Sequence, residues 1–361
     1  MAVRSLPGSY LVLEFTNHCN LACVHCAVYE DKTAEQGHPH YQKKGYLDPQ
    51  LLRNLLDDLI QKKIRFDALI LFWLGEPLLH PEFTRLYRMA LRAAQEHDIF
   101  GKIEVHSNVV LLKEAQRRTL LNSASVPQIL HCSLDAHSVE TYQRIKGSSQ
   151  FEQARDNARS LLLEKHQKGS RWPRIIMQYI VGSNNRHEIS DFRSYWENTA
   201  RTANIPFQIS VGTVETGTTD GIFFRQLDCS DRETQLRENK VFREEMKKEE
   251  LFFDVKEPVQ EMNDENRHPC SGFWKSPVID WTGEVTVCTR DNELKNCLGS
   301  IEQHSFSQIW WGERNRANRR AVAKACYDDL ELCQDCFIPL SLNHSVISAE
   351  EINDFDETIE C

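Results

Sequence analysis

Three cysteines near the N-terminus, Cys19, Cys23 and Cys26, constrain this chain more than any other feature. They stand in Phe15-Thr-Asn-His-Cys-Asn-Leu-Ala-Cys-Val-His-Cys26, a C-x3-C-x2-C spacing directly after a strand-like apolar run from Tyr10 to Phe15. Three thiolates can hold three irons of a [4Fe-4S] cube, because such clusters are normally ligated by cysteine sulfur. The fourth iron is then open to a small molecule and can pass it one electron. Zinc is the other reading of clustered cysteines, with His18 or His25 supplying nitrogen. The uneven spacing at a strand end, with a second cysteine set downstream, favours iron and sulfur.

The rest of the composition narrows the setting. A chain of 361 residues suits one large domain plus a smaller one, and 40% hydrophobic residues suffice for ordinary cores. A net charge of −10 argues against a general electrostatic grip on nucleic acid or an anionic membrane. No stretch approaches the roughly 20 apolar residues of a membrane span, and the first residues lack the apolar centre of a signal peptide. The expectation is a cytoplasmic protein. Twelve cysteines then read as metal ligands or redox groups before disulfides.

Short β-rich runs alternate with amphipathic stretches. Strands are expected at Tyr10–Phe15, Ala68–Trp73, Lys102–His106, Gln128–Leu134, Arg174–Val181 and Pro206–Val211. Helices are expected from Asp48-Pro49 onward, at Pro81–His97, Lys113–Leu121, Phe151–Gln167 and His187–Thr202. Asp48-Pro49 is an N-cap acid followed by proline at the first helical position, and leucines 51, 52, 55, 56 and 59 follow at helical spacing. This βα alternation predicts an α/β fold with a parallel sheet, whose chemistry sits at the strands' C-terminal ends. The cysteine triplet falls there. Residues 27–47 form a long loop that could act as a lid. The charged stretch from Asp228 to Glu250 reads as a solvated helix with mixed-sign pairs, part of a helical connection over residues 215–265.

The second cysteine set starts at Cys270. Cys270 and Cys288 flank a hairpin turning at Thr282-Gly283, and Cys333-Gln-Asp-Cys336 follows as a C-x2-C pair. Four cysteines can complete a cube and leave no open iron, which suits electron transfer or structural work. A zinc ribbon is the alternative. Cys132, Cys229, Cys297, Cys326 and Cys361 read by default as buried free thiols.

The N-terminal motif resembles that of the radical SAM superfamily, and residues 270–338 resemble its SPASM/twitch auxiliary domain. The C-x17-C hairpin and later C-x2-C are most similar to the shorter twitch form of the deoxy-scyllo-inosamine dehydrogenase group, which oxidises a secondary alcohol. A full SPASM domain would carry seven cysteines. The resemblance implies a partial (β/α)6 barrel over residues 8–214, the helical connection, a small β-hairpin/helix iron–sulfur domain over 266–340, and an acidic tail over 341–361. The tail's Glu350, Glu351, Asp354, Asp356 and Glu357 suggest solvated disorder or a cover for the site.

It also implies a cofactor site. Gly75, Glu76 and Pro77 match the family's Gly-Gly-Glu-Pro, with Leu74 in place of the first glycine; glycine lets backbone approach a ligand and a carboxylate pairs with the ammonium of S-adenosyl-L-methionine. Ser107 and Asn108 match the Thr-Asn-Gly position, where Val109 breaks the pattern. Ser133 and Asp135 match Ser-x-Asp, and His25 lies where the adenine packs. Metal ligands are Cys19, Cys23 and Cys26 for the S-adenosyl-L-methionine-binding [4Fe-4S] cluster, and Cys270, Cys288, Cys333 and Cys336 for an auxiliary [4Fe-4S] cluster. Cys297 and Cys326 lie nearby in the wrong pattern.

The implied chemistry is reductive cleavage of S-adenosyl-L-methionine to a 5′-deoxyadenosyl radical, which takes a hydrogen atom from a substrate C–H. The substrate radical is then oxidised through the auxiliary cluster. A reducing donor such as flavodoxin or ferredoxin is implied as well. The first strand begins by about residue 10, leaving no N-terminal peptide-recognition domain, which tilts the expectation toward a sugar- or aminocyclitol-like small molecule. The alternatives are a peptide maturase, a redox-neutral epimerase with a cysteine hydrogen donor, and, outside catalysis, an electron-transfer or zinc-binding module.

Overall fold

The computed structural model describes residues 7–26, 43–212, 217–251, 267–340 and 346–359. Most of the expected lid, residues 27–42, lies outside them, as does Cys361. The chain divides into two compact units, Met1–His18 with Gln36–Ile103 and Lys256–Cys361, and Cys19–Glu35 with Glu104–Val255.

The first unit is organised around β1 (Tyr10–Leu13), whose Leu11, Val12 and Leu13 are fully buried. It runs parallel to β2 (Ala68–Leu71) on one side and to β8 (Val278–Ile279) on the other. Burial on both faces explains why β1 and β2 read as continuous apolar runs and not as alternating ones. Helix α1 (Pro49–Lys62) starts where expected: Asp48 Oδ1 accepts the Gln50 amide at 2.7 Å, and Leu52, Leu55, Leu56 and Leu59 form its buried face. Helix α2 (Phe83–His97) buries Phe83, Leu86, Tyr87 and Ala90 at the same periodicity. The expected hairpin is present, with β8 antiparallel to β9 (Glu284–Thr286) and Gly283 supplying the turn at φ +93°. A helix follows at Phe306–Trp310, capped by Ser305.

Of the two expectations for the acidic tail, disorder does not hold over Ala349–Ile359. Residues Ala349–Ile359 form a helix, with Glu351 paired to Lys275 and the Phe355 ring stacked on Trp311. Its Phe355 is buried, so apolar contact, not charge, decides its state.

The second unit has the strand order β3 (Ile103–Ser107), β4 (Gln128–Ser133), β5 (Arg174–Val181), β7 (Asp220–Gln226), β6 (Phe207–Val211). The pairs β4–β5, β5–β7 and β7–β6 are parallel. Helices α3 (Glu114–Leu120), α4 (Val139–Lys146), α5 (Phe151–Lys168) and α6 (Ile189–Thr202) lie between the strands in sequence.

Two elements were not expected from the sequence. Helix α4 is short, and its signals are a Ser138 cap and Gly147 at the far end. Strand β7 lies within the stretch read as a connecting helix, and it inserts between β5 and β6. Among the described residues of that stretch, Arg232–Lys248 form the charged helix, which buries Phe242 and Met246 and is not wholly solvated.

Strand β7 is anchored by a charge. Asp220 is 1% exposed and accepts from Lys165 Nζ at 2.6 and 2.8 Å and from the Ile175 amide at 2.7 Å; His166 Nε2 lies 2.7 Å away. Replacing Asp220 with Ala strands the buried Lys165 ammonium, and the expected loss of folding stability is about 3–5 kcal/mol. Urea denaturation measures it; a loss of about 1 kcal/mol or less, the scale of an exposed pair, would show that this anchor is dispensable.

Candidate cofactor sites

The triplet loop is held by the end of a helix. The last carbonyls of an α-helix have no partner within it, and α4 uses two of them on this loop: Lys146 O accepts from the Ala22 amide at 3.0 Å and Ile145 O from Val24 at 2.8 Å. Gly147 makes the approach possible. It sits at φ +66°, and a Cβ there would lie 2.9 Å from Ala22 O. Within the loop, the Cys26 amide donates to Cys23 O at 3.1 Å, and all three thiols are half-buried.

A buried ion pair stands behind the loop. The Lys146 ammonium contacts the Asp135 carboxylate, with both side chains under 5% exposed. Burial works to discharge Lys146, but Asp135 and Cys23 beside it raise its pKa overall, so the amine stays cationic next to a thiol. Asp135, at φ +58°, also accepts the Ile180 amide at 2.6 Å through Oδ1. One carboxylate thereby joins β4, β5 and α4.

The remaining expected residues divide by their other contacts. In the second unit, Ser107 Oγ accepts the Val109 amide at 2.9 Å, and Asn108 takes the Val110 amide while donating to Asn20 Oδ1 at 3.0 Å. Asn108 thus fixes the residue directly after Cys19. Ser133 Oγ accepts from Gln178 Nε2 at 3.2 Å. His25 is half-buried, and desolvation, with Lys146 adding to it, lowers its pKa to about 4, so the imidazole is neutral. In the first unit, Gly75 packs so closely that a Cβ would meet Thr16 O at 2.0 Å, and the Glu76 amide donates to His18 O at 2.8 Å. Glu76 is buried, with Oε1 accepting the Leu78 amide at 3.0 Å.

Glu14 escaped the sequence reading. It is fully buried at the end of β1, where its carboxyl accepts the Leu74 amide at 3.0 Å and the Trp281 amide at 3.4 Å. Desolvation, and then the nearby Asp280, push its pKa up to about 8. One side chain therefore links the Gly75-Glu76 turn to the hairpin of the second cysteine set.

That second set is a built sulfur site. The thiols of Cys270, Cys288, Cys333 and Cys336 act electrostatically on one another in every pairing, and burial first, then this mutual effect, pushes Cys270, Cys288 and Cys333 up to about 12. Asn296 Nδ2 donates to Cys333 Sγ at 3.3 Å and the Arg290 amide to Cys288 Sγ at 3.4 Å. Arg267 reaches the carbonyls of Cys333, Gln334 and Cys336 while lying 4.3 Å over the Tyr327 ring. Cys297 instead donates to Gly299 O at 3.8 Å, and Cys326 is exposed. Half-buried thiols costly to ionise alone, yet gathered together and met by N–H donors, fit an iron–sulfur cluster, which takes them as thiolates.

Two family models match the chain. The radical SAM superfamily model matches residues 13–167, and the SPASM iron–sulfur cluster-binding domain matches residues 270–337. The protein is a radical SAM enzyme with a C-terminal SPASM domain, and the two domains imply [4Fe-4S] clusters. Among solved structures, anSMEcpe with bound AdoMet is 14% identical, covering 96% of each chain with a TM-score of 0.58. SuiB of Streptococcus suis bound to S-adenosylmethionine is 15% identical over 86% of this chain and 67% of that one, with a TM-score of 0.53. BtrN in complex with AdoMet and 2-DOIA is 14% identical over 96% and 98%, with a TM-score of 0.48. No curated protein matches the sequence.

Two predictions follow from these contacts. Gly147→Ala forces a side chain into left-handed backbone and against Ala22 O, so stability should fall by about 1–2 kcal/mol and iron retained per chain should fall with it. Colorimetric iron after anaerobic reconstitution checks this, and full iron retention would show that the helix end does not hold the loop. The second concerns Glu14, whose folded pKa of about 8 lies above the usual carboxylate value. Its contribution is complete at acid pH and is lost as pH rises from about 4 toward 8. Glu14→Gln should therefore gain stability relative to the parent as pH rises through that window; denaturant midpoints at pH 5 and 8 that shift equally would refute it.

Proposed function

We propose that this enzyme oxidises a polar small molecule by a radical route, with Cys19, Cys23 and Cys26 holding the cluster that binds S-adenosyl-L-methionine. Cys270, Cys288, Cys333 and Cys336 hold an auxiliary [4Fe-4S] cluster that accepts the substrate's electron. When bound, the first cluster and S-adenosyl-L-methionine supply a one-electron cleavage that yields a carbon radical able to take a hydrogen atom from a C–H bond. Four half-buried thiols gathered in the C-terminal set carry the reading, because a cube with all irons ligated has no open position and serves for electron transfer.

The chain's own residues support these roles. Lys146 places a positive charge beside Cys23, offsetting thiolate charge at the first site. Arg267 does the same at the carbonyls of Cys333 and Cys336. Gly75, Glu76, Ser107, Asn108, Ser133, Asp135 and His25 are the proposed surroundings of S-adenosyl-L-methionine. Glu76 is buried, and neutral His25 suits contact with an uncharged purine. A flavodoxin or ferredoxin in a reducing cytoplasm would supply electrons. Peptide modification is the second reading, favoured by the solution of SuiB with precursor peptide SuiA and of anSMEcpe with the Cp18Cys peptide.

Anaerobic iron and sulfide content with electron paramagnetic resonance tests the assignment. The parent should bind about eight irons and the Cys19/Cys23/Cys26→Ala variant about four, with a signal perturbed by S-adenosyl-L-methionine only in the parent. Zinc without iron, or a reduced cluster indifferent to S-adenosyl-L-methionine, would refute it.

A further inference from the structure

One face of the second unit's sheet carries polar groups that the fold does not use. The register aligns Ser133 on β4, Gln178 on β5, Phe223 on β7 and Ser210 on β6, and in-register neighbours project to the same side. The adjacent row toward the strands' C-terminal ends pairs Ile180 with Arg225. On the other side of the Ser133 row, His131 stacks on His106 with ring centroids 4.1 Å apart and meets the Phe223 ring at 6.2 Å.

Three side chains on this face are 3% exposed: His131, Gln178 and Ser210. His131 Nδ1, Gln178 Oε1 and Ser210 Oγ have no hydrogen-bond partner among the described residues. Buried polar atoms in folded proteins almost always have partners, so a group of orphans on one surface indicates a ligand or water that completes them. Arg225 adds charge. Its guanidinium is half-buried and makes no hydrogen bond or ion pair among the described residues. Its register with Ile180, two residues on from Gln178 along β5, sets it on the same face. Glu104, the carboxylate on this face, lies 3.5 Å from His106 Nε2 and 3.6 Å from His131 Nε2; a half-buried cation with no ion pair of its own among the described residues, beside unsatisfied donors and acceptors, is arranged for an anion.

We propose that this face is the substrate surface, where Arg225 forks onto a carboxylate or phosphate of a polar small molecule. Gln178, Ser210 and His131 meet its hydroxyl or amino groups. The proposal rests on the radical SAM reading for what happens to that molecule, but the anion subsite can be tested without turnover. It narrows the substrate to compounds that pair an anionic group with hydrogen-bonding substituents; a neutral polyol lacks the group Arg225 needs.

The test is anaerobic titration calorimetry on the reconstituted full chain with gluconate, glucose 6-phosphate and neutral glucose as probes, each with and without saturating S-adenosyl-L-methionine. At least one anion should bind about tenfold or more tightly than glucose, and which one binds separates a carboxylate from a phosphate subsite. Arg225→Gln should weaken that anion about tenfold or more, and Arg225→Lys, which keeps the charge but loses the fork, by less. Gln178→Leu should weaken the same anion independently of Arg225. Circular dichroism shows whether each variant is folded, and should Arg225→Gln unfold, the lysine and Gln178 variants decide. Three outcomes overturn the proposal: no anion preference in the parent, equal binding by the folded variants, or loss of anion binding when S-adenosyl-L-methionine is present, which would make Arg225 a cofactor contact. The radical reading fails separately, if the parent with dithionite and no probe does not cleave S-adenosyl-L-methionine while anion binding persists.

Discussion

The ion pair between Lys146 and Asp135 holds the second unit's chemistry in place. Both charges are buried, so each is tolerable only beside the other. The pair fixes the C-terminal end of α4, and the peptide carbonyl of Lys146 itself receives the cysteine loop. Asp135 also takes the Ile180 amide and, through its backbone carbonyl, Asn185 Nδ2. A loop with three half-buried thiols has little apolar surface of its own. It acquires a fixed path by borrowing a helix end whose position is set electrostatically, and the same lysine lends its charge to Cys23.

The auxiliary site solves a related problem differently. Thiols gathered this closely repel as soon as any of them ionises, and the raised pKa values of Cys270, Cys288 and Cys333 express desolvation first and then that repulsion. The surrounding groups are directed at the thiolate form. Asn296 donates directly to sulfur, and Arg267 is immobilised on Tyr327 with its guanidinium on the carbonyls of the C-x2-C turn. Asp291 accepts the Thr286 hydroxyl and the amides of Lys295 and Asn296, which holds Asn296 in position. These contacts fix the backbone that carries the four thiols.

Much of this was legible in the sequence, for physical reasons that can be named. Cysteine spacing marked both sulfur sets because few other structures require such clustering. Apolar runs marked β1 to β6, and Asp48-Pro49 marked α1 by its cap. Strand β7 was hidden because Asp220-Gly-Ile-Phe-Phe-Arg-Gln offers only three consecutive apolar residues beside a charged run, and its place depends on Lys165, a partner 55 residues away. Helix α4 was hidden by brevity, although Ser138 and Gly147 mark its ends. Glu14, Lys146, Arg225 and Arg267 carry no local signal at all. The roles of Glu14, Lys146 and Arg267 arise from partners distant in sequence, and only burial makes those pairings consequential.

The departures from the family pattern show which of its features are mechanical. Leu74 stands where the first glycine is expected, yet its side chain is buried and its amide is taken by Glu14, so the backbone there needs a hydrogen-bond partner and not the absence of a Cβ. Gly75 is different, because Thr16 O leaves no room for a side chain. Val109 replaces another expected glycine and still adopts φ +53°, an unfavourable state for a β-branched residue. Its conformation is held from outside. Asn157 Nδ2 donates to the carbonyls of Val109 and Val110 at 2.9 and 3.0 Å, Gln153 donates to Val110 O at 3.0 Å, and Ser107 takes the Val109 amide. Helix α5, which contributes Gln153 and Asn157, therefore does the work that glycine's freedom would do, and the turn carrying Ser107 and Asn108 survives the loss of the residue that usually defines it.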